Sequence, residues 1–86
     1  MVTRSVRQKF CEMLEEGAQG LREEIIRHEK NLETLREQIA ELKRQPDPEL
    51  RAIEALLQMK ASLEAKLAVD QLSLQSTENA ISELCP

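Results

Sequence analysis

Few side chains in this 86-residue chain have the chemistry to react or to hold a ligand. His28 is the only histidine, and Cys11 and Cys85 are the only cysteines. The glutamates come in surface-type pairs, Glu15-Glu16 and Glu23-Glu24. His28 with Asp70 could form a pH-sensitive buried pair, provided the fold brings them together. The alternative, and the expected one, is a polar layer that sets helix register, as a single buried polar residue does in a coiled coil. Catalysis would further require a nucleophile or second acid in a concave pocket, and no Gly-rich phosphate loop, CxxC pair or HExxH signature is present. With no cysteine or carboxylate cluster at ligand spacing around the lone histidine, no zinc site is expected. The chain therefore reads as a non-enzyme without cofactor or metal.

The elements that position these residues follow from an apolar repeat. Cys11, Ala18, Ile25, Leu32 and Ile39 fall at a positions of a heptad, with Leu14, Leu21, His28, Leu35 and Leu42 at d. A second run places Ile53, Lys60, Leu67, Leu74 and Ile81 at a, with Leu56, Leu63, Asp70, Thr77 and Leu84 at d. Between the runs lies Gln45-Pro46-Asp47-Pro48. Folded back at that turn, a layers on d: Leu42 on Ile53, Ile39 on Leu56, Leu32 on Leu63, Leu21 on Leu74, and Leu14 on Ile81. All these pairs share one midpoint, between Asp47 and Pro48. Turn chemistry and heptad register thus specify the same all-α, antiparallel two-helix coiled-coil hairpin.

In this reading residues 1–10 are a basic N-terminal segment able to fray or splay away, 11–44 the first helix, 45–48 the turn and 49–85 the second helix. Thr3 or Ser5 is placed to cap the first helix. Pro46 stops it, Asp47 caps the second, and Pro48 takes that helix's first position. Glu23–Arg27, Glu24–Arg27, Glu33–Arg36 and Glu41–Arg44 are spaced for solvated pairs along one helix. Gly17 and Gly20 suggest a close helix crossing or a bend, and with Asp70 and Thr77 at d they make the open end the looser half. Lys60 is expected to lay its stem along the seam.

The register also carries Cys11 and Cys85 to neighbouring layers at the open end, where a disulfide is geometrically feasible. A chain without an export signal meets a reducing cytosol, so two free thiols are expected.

Two single stripes bury little surface, so additional burial against a partner is expected. A second apolar strip supports that expectation. Leu50, Leu57, Ala61, Ala65, Ala68 and Leu72, with Val69 beside them, share an outer face of the second helix. Met13, Ile26 and Ala40 form a thinner set on the first. Two hairpins joined through the second-helix strip would make a homodimeric four-helix bundle.

Charge excludes other partners. The net charge is −4, and the whole excess lies after residue 44. Arg4, Arg7 and Lys9 are the only basic cluster, with no aromatic residues interleaved, so a nucleic-acid partner is not expected. Neither a membrane-spanning run nor a signal-peptide core occurs, which gives a cytoplasmic expectation.

The Pro-Asp-Pro-Glu-Leu segment, Pro46 to Leu50, leads into an alanine- and leucine-rich helix within a small acidic hairpin. Over roughly Leu21 to Leu74 this resembles the small helical co-chaperones of type III secretion needle subunits. The resemblance implies a cytoplasmic chaperone or adaptor whose second-helix strip masks an amphipathic helix of a different protein. The cysteines and the basic start depart from that pattern.

Overall fold

In a computed structural model, residues 5–86 are described. Two helices, α1 (Val6–Lys43) and α2 (Leu50–Leu84), account for nearly all of them and pack side by side as a hairpin. The molecule is a rod with extents of 72 × 20 × 15 Å.

Helix α1 begins at a capping box. Ser5 Oγ accepts from the Gln8 backbone N–H at 3.1 Å, and Gln8 Oε1 accepts from the Ser5 N–H at 3.0 Å. This arrangement satisfies two orphan donors reciprocally and carries the helix through residues 6–10 without a break. The basic segment is thus helical from Val6, and Ser5 is its cap. Thr3, the other candidate, lies outside the described residues, as does Arg4. At the far end the Arg44 N–H bonds back to Ala40 and Glu41, with Lys43 in the last turn, where a cation favours the negative end of the helix dipole.

The start of α2 differs from the sequence reading. Its N-cap is Glu49, in extended backbone and without a side-chain capping bond, and Asp47 caps nothing. The chain turns and bends through residues 44–47 and is extended at Glu49, so the helix opens at Leu50 and not at Pro48, with Asp47 too far ahead to cap it.

Burial follows the heptads. Leu32, Leu35, Ile39 and Ile53 are buried near the turn, and most remaining a and d residues are half-buried. In the open half Ala18 is the one buried residue among those described, at 0 % exposure. The most deeply buried part of the core therefore lies toward the turn, while the open half of the seam combines half-buried Leu14, Leu21, Ile25, Leu74 and Ile81 with Ala18, a polar layer at His28–Asp70, and Thr77. Thr77 turns its hydroxyl inward along its own helix, donating to the Ser73 carbonyl at 2.8 Å.

What closes the open end is covalent. Cys11 and Cys85 are joined by a disulfide with Cα atoms 5.9 Å apart and 74 residues of separation. The expectation of free thiols is not what the structure shows: register sets the two cysteines side by side, whereas the argument for thiols came from compartment alone. Arg7 Nε reinforces this end by donating to the Leu84 carbonyl at 3.0 Å.

The glycines do not serve a close crossing. A Cβ built on Gly17 or Gly20 would meet nothing within 4 Å, neither has a positive φ, and α1 runs through both as continuous helix. The expected same-helix glutamate–arginine pairs do not close to ion-pair distance among the described residues. Arg22 instead reaches across to Glu78 at 3.5 Å, while Gln19 donates to Glu23 at 3.3 Å. Solvated pairs worth a few tenths of a kcal/mol do not hold long side chains in one geometry.

Two stability predictions follow from this layout. Gly17→Ala and Gly20→Ala should each raise stability by about 0.5–1 kcal/mol in thermal or urea denaturation, since each gains helix propensity into open space. Reducing the Cys11–Cys85 bridge should cost about 2–4 kcal/mol and lower Tm by roughly 10–30 °C, the loss expected from releasing a loop of this length.

Candidate functional site

Two features of the rod stand apart from a plain helical hairpin. The first is the outer face of α2. Leu50 is 75 % exposed, Leu57 41 %, Val69 60 % and Leu72 68 %, and Ala61, Ala65 and Ala68 beside them are exposed as well. The heptad explains why: in a helix of 3.6 residues per turn, residues displaced from the a and d seam cannot reach the partner helix. The structure places all seven sequence-predicted interface residues on solvent-facing positions of one helix. Met59, which the spacing argument does not include, is exposed on another flank, where it borders a shallow groove with Leu35 and Leu63. On α1, Val6, Phe10, Met13 and Ile26 are exposed without forming a comparable continuous strip. Val6 and Phe10 lie in the first turns of α1, off the a and d positions of the seam.

The second feature is the polar layer. His28 and Asp70 are largely withdrawn from water, with side chains 13 % and 19 % exposed, and His28 Nε2 lies 3.1 Å from Asp70 Oδ2. Glu24, one turn before His28 on the same face, adds a carboxylate oxygen 3.4 Å from the same nitrogen and is itself 48 % exposed. Neither oxygen takes an aligned hydrogen bond from the ring: Asp70 Oδ2 and His28 Nδ1 are both buried atoms without a hydrogen-bond partner. The close approach between His28 and Asp70 is thus an unaligned contact of a carboxylate oxygen with the ring nitrogen. The structure brings together the two residues that the sequence placed one turn apart, and adds Glu24, which the sequence reading treated as a surface charge. The signal for it was present in the Glu24–His28 spacing, which is i,i+4. This also corrects the expectation that no carboxylate cluster surrounds the histidine, since ligand-type atoms of Glu24, His28 and Asp70 all lie within 4.8 Å of one another.

Lys60 is half-buried at its seam position. No helix of the described residues is long and apolar enough to cross a membrane. Compared with protein families, curated proteins and solved structures, the chain shows no significant match to any of them. Its architecture defines an all-α, two-helix hairpin, and the argument for its role rests on its own surface.

The polar layer makes a directional prediction. His28→Leu alone should destabilise the hairpin, because it leaves Asp70 as a half-buried charge facing hydrocarbon. His28→Leu with Asp70→Leu should restore stability to at least the wild-type value and raise it by about 1 kcal/mol or more, since an apolar pair removes the desolvation cost of both groups. Urea denaturation of the three proteins at neutral pH measures the difference.

Proposed function

We propose that this chain is a non-enzymatic protein–protein assembly module, in which two hairpins associate through the outer face of α2 into an antiparallel four-helix bundle. The observation that carries this reading is the exposure of Leu50, Leu57, Val69 and Leu72 along one helix. A contiguous apolar surface of that kind on a small protein marks a contact site.

Area supports the same reading. The single hairpin exposes 6806 Å², against about 5200 Å² for a compact monomer of its mass. The excess of roughly 1600 Å² per chain exceeds the roughly 800 Å² that each partner contributes to a standard stable interface. Ala61, Ala65 and Ala68 contribute little area but let a second helix approach closely along the middle of the strip. A two-fold arrangement is self-complementary: Leu57 of one copy can meet Leu72 of the other across the axis, with the alanines at the crossing.

Among the described residues, grooves between the two rods, such as that lined by Leu35, Met59 and Leu63, are open to solvent, which suits an assembly role. A cytoplasmic module would keep Cys11 and Cys85 as thiols, and an oxidising compartment would keep them bridged. Alkylating the protein after acid quenching of its source cells therefore reports its location.

Leu57→Asp combined with Leu72→Asp should halve the sedimentation mass while leaving helical circular dichroism unchanged. Unchanged mass in that variant refutes the strip. A wild-type chain already monomeric, and gaining thermal cooperativity only with an added amphipathic helix, would identify the chaperone or adaptor role instead.

A further inference from the structure

We propose that Glu24, His28 and Asp70 form a divalent transition-metal site that clips α1 to α2 within one hairpin, with Zn²⁺ as the cation that fits it. The site is complete in a single chain, so it stands whether or not two copies associate.

The geometry starts from His28 Nε2. Carboxylate oxygens of Asp70 and Glu24 lie 3.1 Å and 3.4 Å from it. Zinc bonds to nitrogen and oxygen at about 2.0–2.2 Å, which sets neighbouring ligands of a tetrahedron about 3.3–3.5 Å apart. The two nitrogen–oxygen separations therefore already stand near the edge lengths of a zinc polyhedron, and the two carboxylate oxygens lie within 4.8 Å of each other. Both oxygens flank the ring nitrogen without accepting its N–H in line, and Asp70 Oδ2 is buried with no hydrogen-bond partner. A cation on the Nε2 lone pair would sit between them and satisfy all three atoms at once. Without it, Asp70 Oδ2 has only the unaligned approach of the ring nitrogen at 3.1 Å.

The fourth position opens outward. Glu24, His28 and Asp70 share a groove with Ser62, Ala65, Lys66 and Val69, so water can complete the shell. One imidazole with two carboxylates favours Zn²⁺ or its transition-metal neighbours over Ca²⁺ and Mg²⁺, which take oxygen ligands in larger number. Two features limit the affinity. Lys66 lines the same groove, and a positive charge on it opposes a cation. His28 Nδ1 has no acceptor of its own, so the outer-shell hydrogen bond that usually orients a ligating histidine is missing.

Because the chain has one histidine, its ring protons report directly. ZnCl₂ is titrated into the disulfide-bridged protein in a non-chelating buffer, with the bridge verified by mass so that no thiol competes. The expected result is a saturable shift of the His28 ring resonances with one zinc per chain, which Ca²⁺ and Mg²⁺ do not reproduce. Asp70→Asn and the more exposed Glu24→Gln should each weaken zinc binding by at least about tenfold, Lys66→Met should strengthen it, and Glu29→Gln should leave it unchanged. Glu24→Gln keeps the test valid should Asp70→Asn disturb folding. No saturable His28 shift, equal affinity in Glu24→Gln, or one zinc bridging two chains would each overturn the site.

Discussion

Everything in this molecule depends on how a narrow aliphatic seam is distributed along two rods. Leu32, Leu35, Ile39 and Ile53 exclude water close to the Pro46–Pro48 turn, and that cluster fixes which faces of α1 and α2 meet. Once those faces are chosen, the 3.6-residue turn decides the rest. His28 and Asp70 must meet across the seam, Cys11 and Cys85 must arrive together at the open end, and Leu50, Leu57, Val69 and Leu72 must point away. The apolar core is thin, because a two-helix contact buries only one stripe per helix. The open half adds contacts of other kinds to its half-buried Leu14, Leu21, Ile25, Leu74 and Ile81: the disulfide, the Arg7–Leu84 hydrogen bond and the Arg22–Glu78 ion pair.

That distribution makes the two ends of the hairpin physically different. Near the turn the helices are held by dispersion and the hydrophobic effect, which are insensitive to redox state and weakly sensitive to salt. At the open end the strongest restraint is a covalent bond that a dithiol can remove. The polar layer lies between these regimes. A polar pair in a seam contributes little stability but penalises shifted registers, in which Asp70 would face aliphatic side chains without a partner.

Much of the fold was legible in the sequence because two independent signals agreed: the heptad register on either side and the proline-bounded turn between. The a and d residues that the pattern selected are buried or half-buried, apart from Leu84 at the fraying end of α2. Local chemistry was read less well. Asp47 looked like a cap because its type and place were right, but Pro48 and the extended Glu49 put the helix start beyond it. Gly17 and Gly20 suggested a close crossing, yet both face open space. Glu24 was read as a solvated charge because its partner across the seam is remote in sequence; the i,i+4 step to His28 was visible, whereas the distance to Asp70 needed the superposed helices. The strip on α2 was legible as a face, since exposure follows from register, but what covers it is not encoded in one chain's periodicity.

The central claim is that the exposed face of α2 is an interface between copies of this chain. The most direct measurement is the absolute mass of the wild-type protein by light scattering through a dilution series, repeated with reductant. The account predicts a mass of two chains that dissociates cooperatively on dilution and persists when the disulfide is reduced, because the strip lies away from Cys11 and Cys85. A mass of one chain at all concentrations, with a cooperative thermal transition, would contradict it.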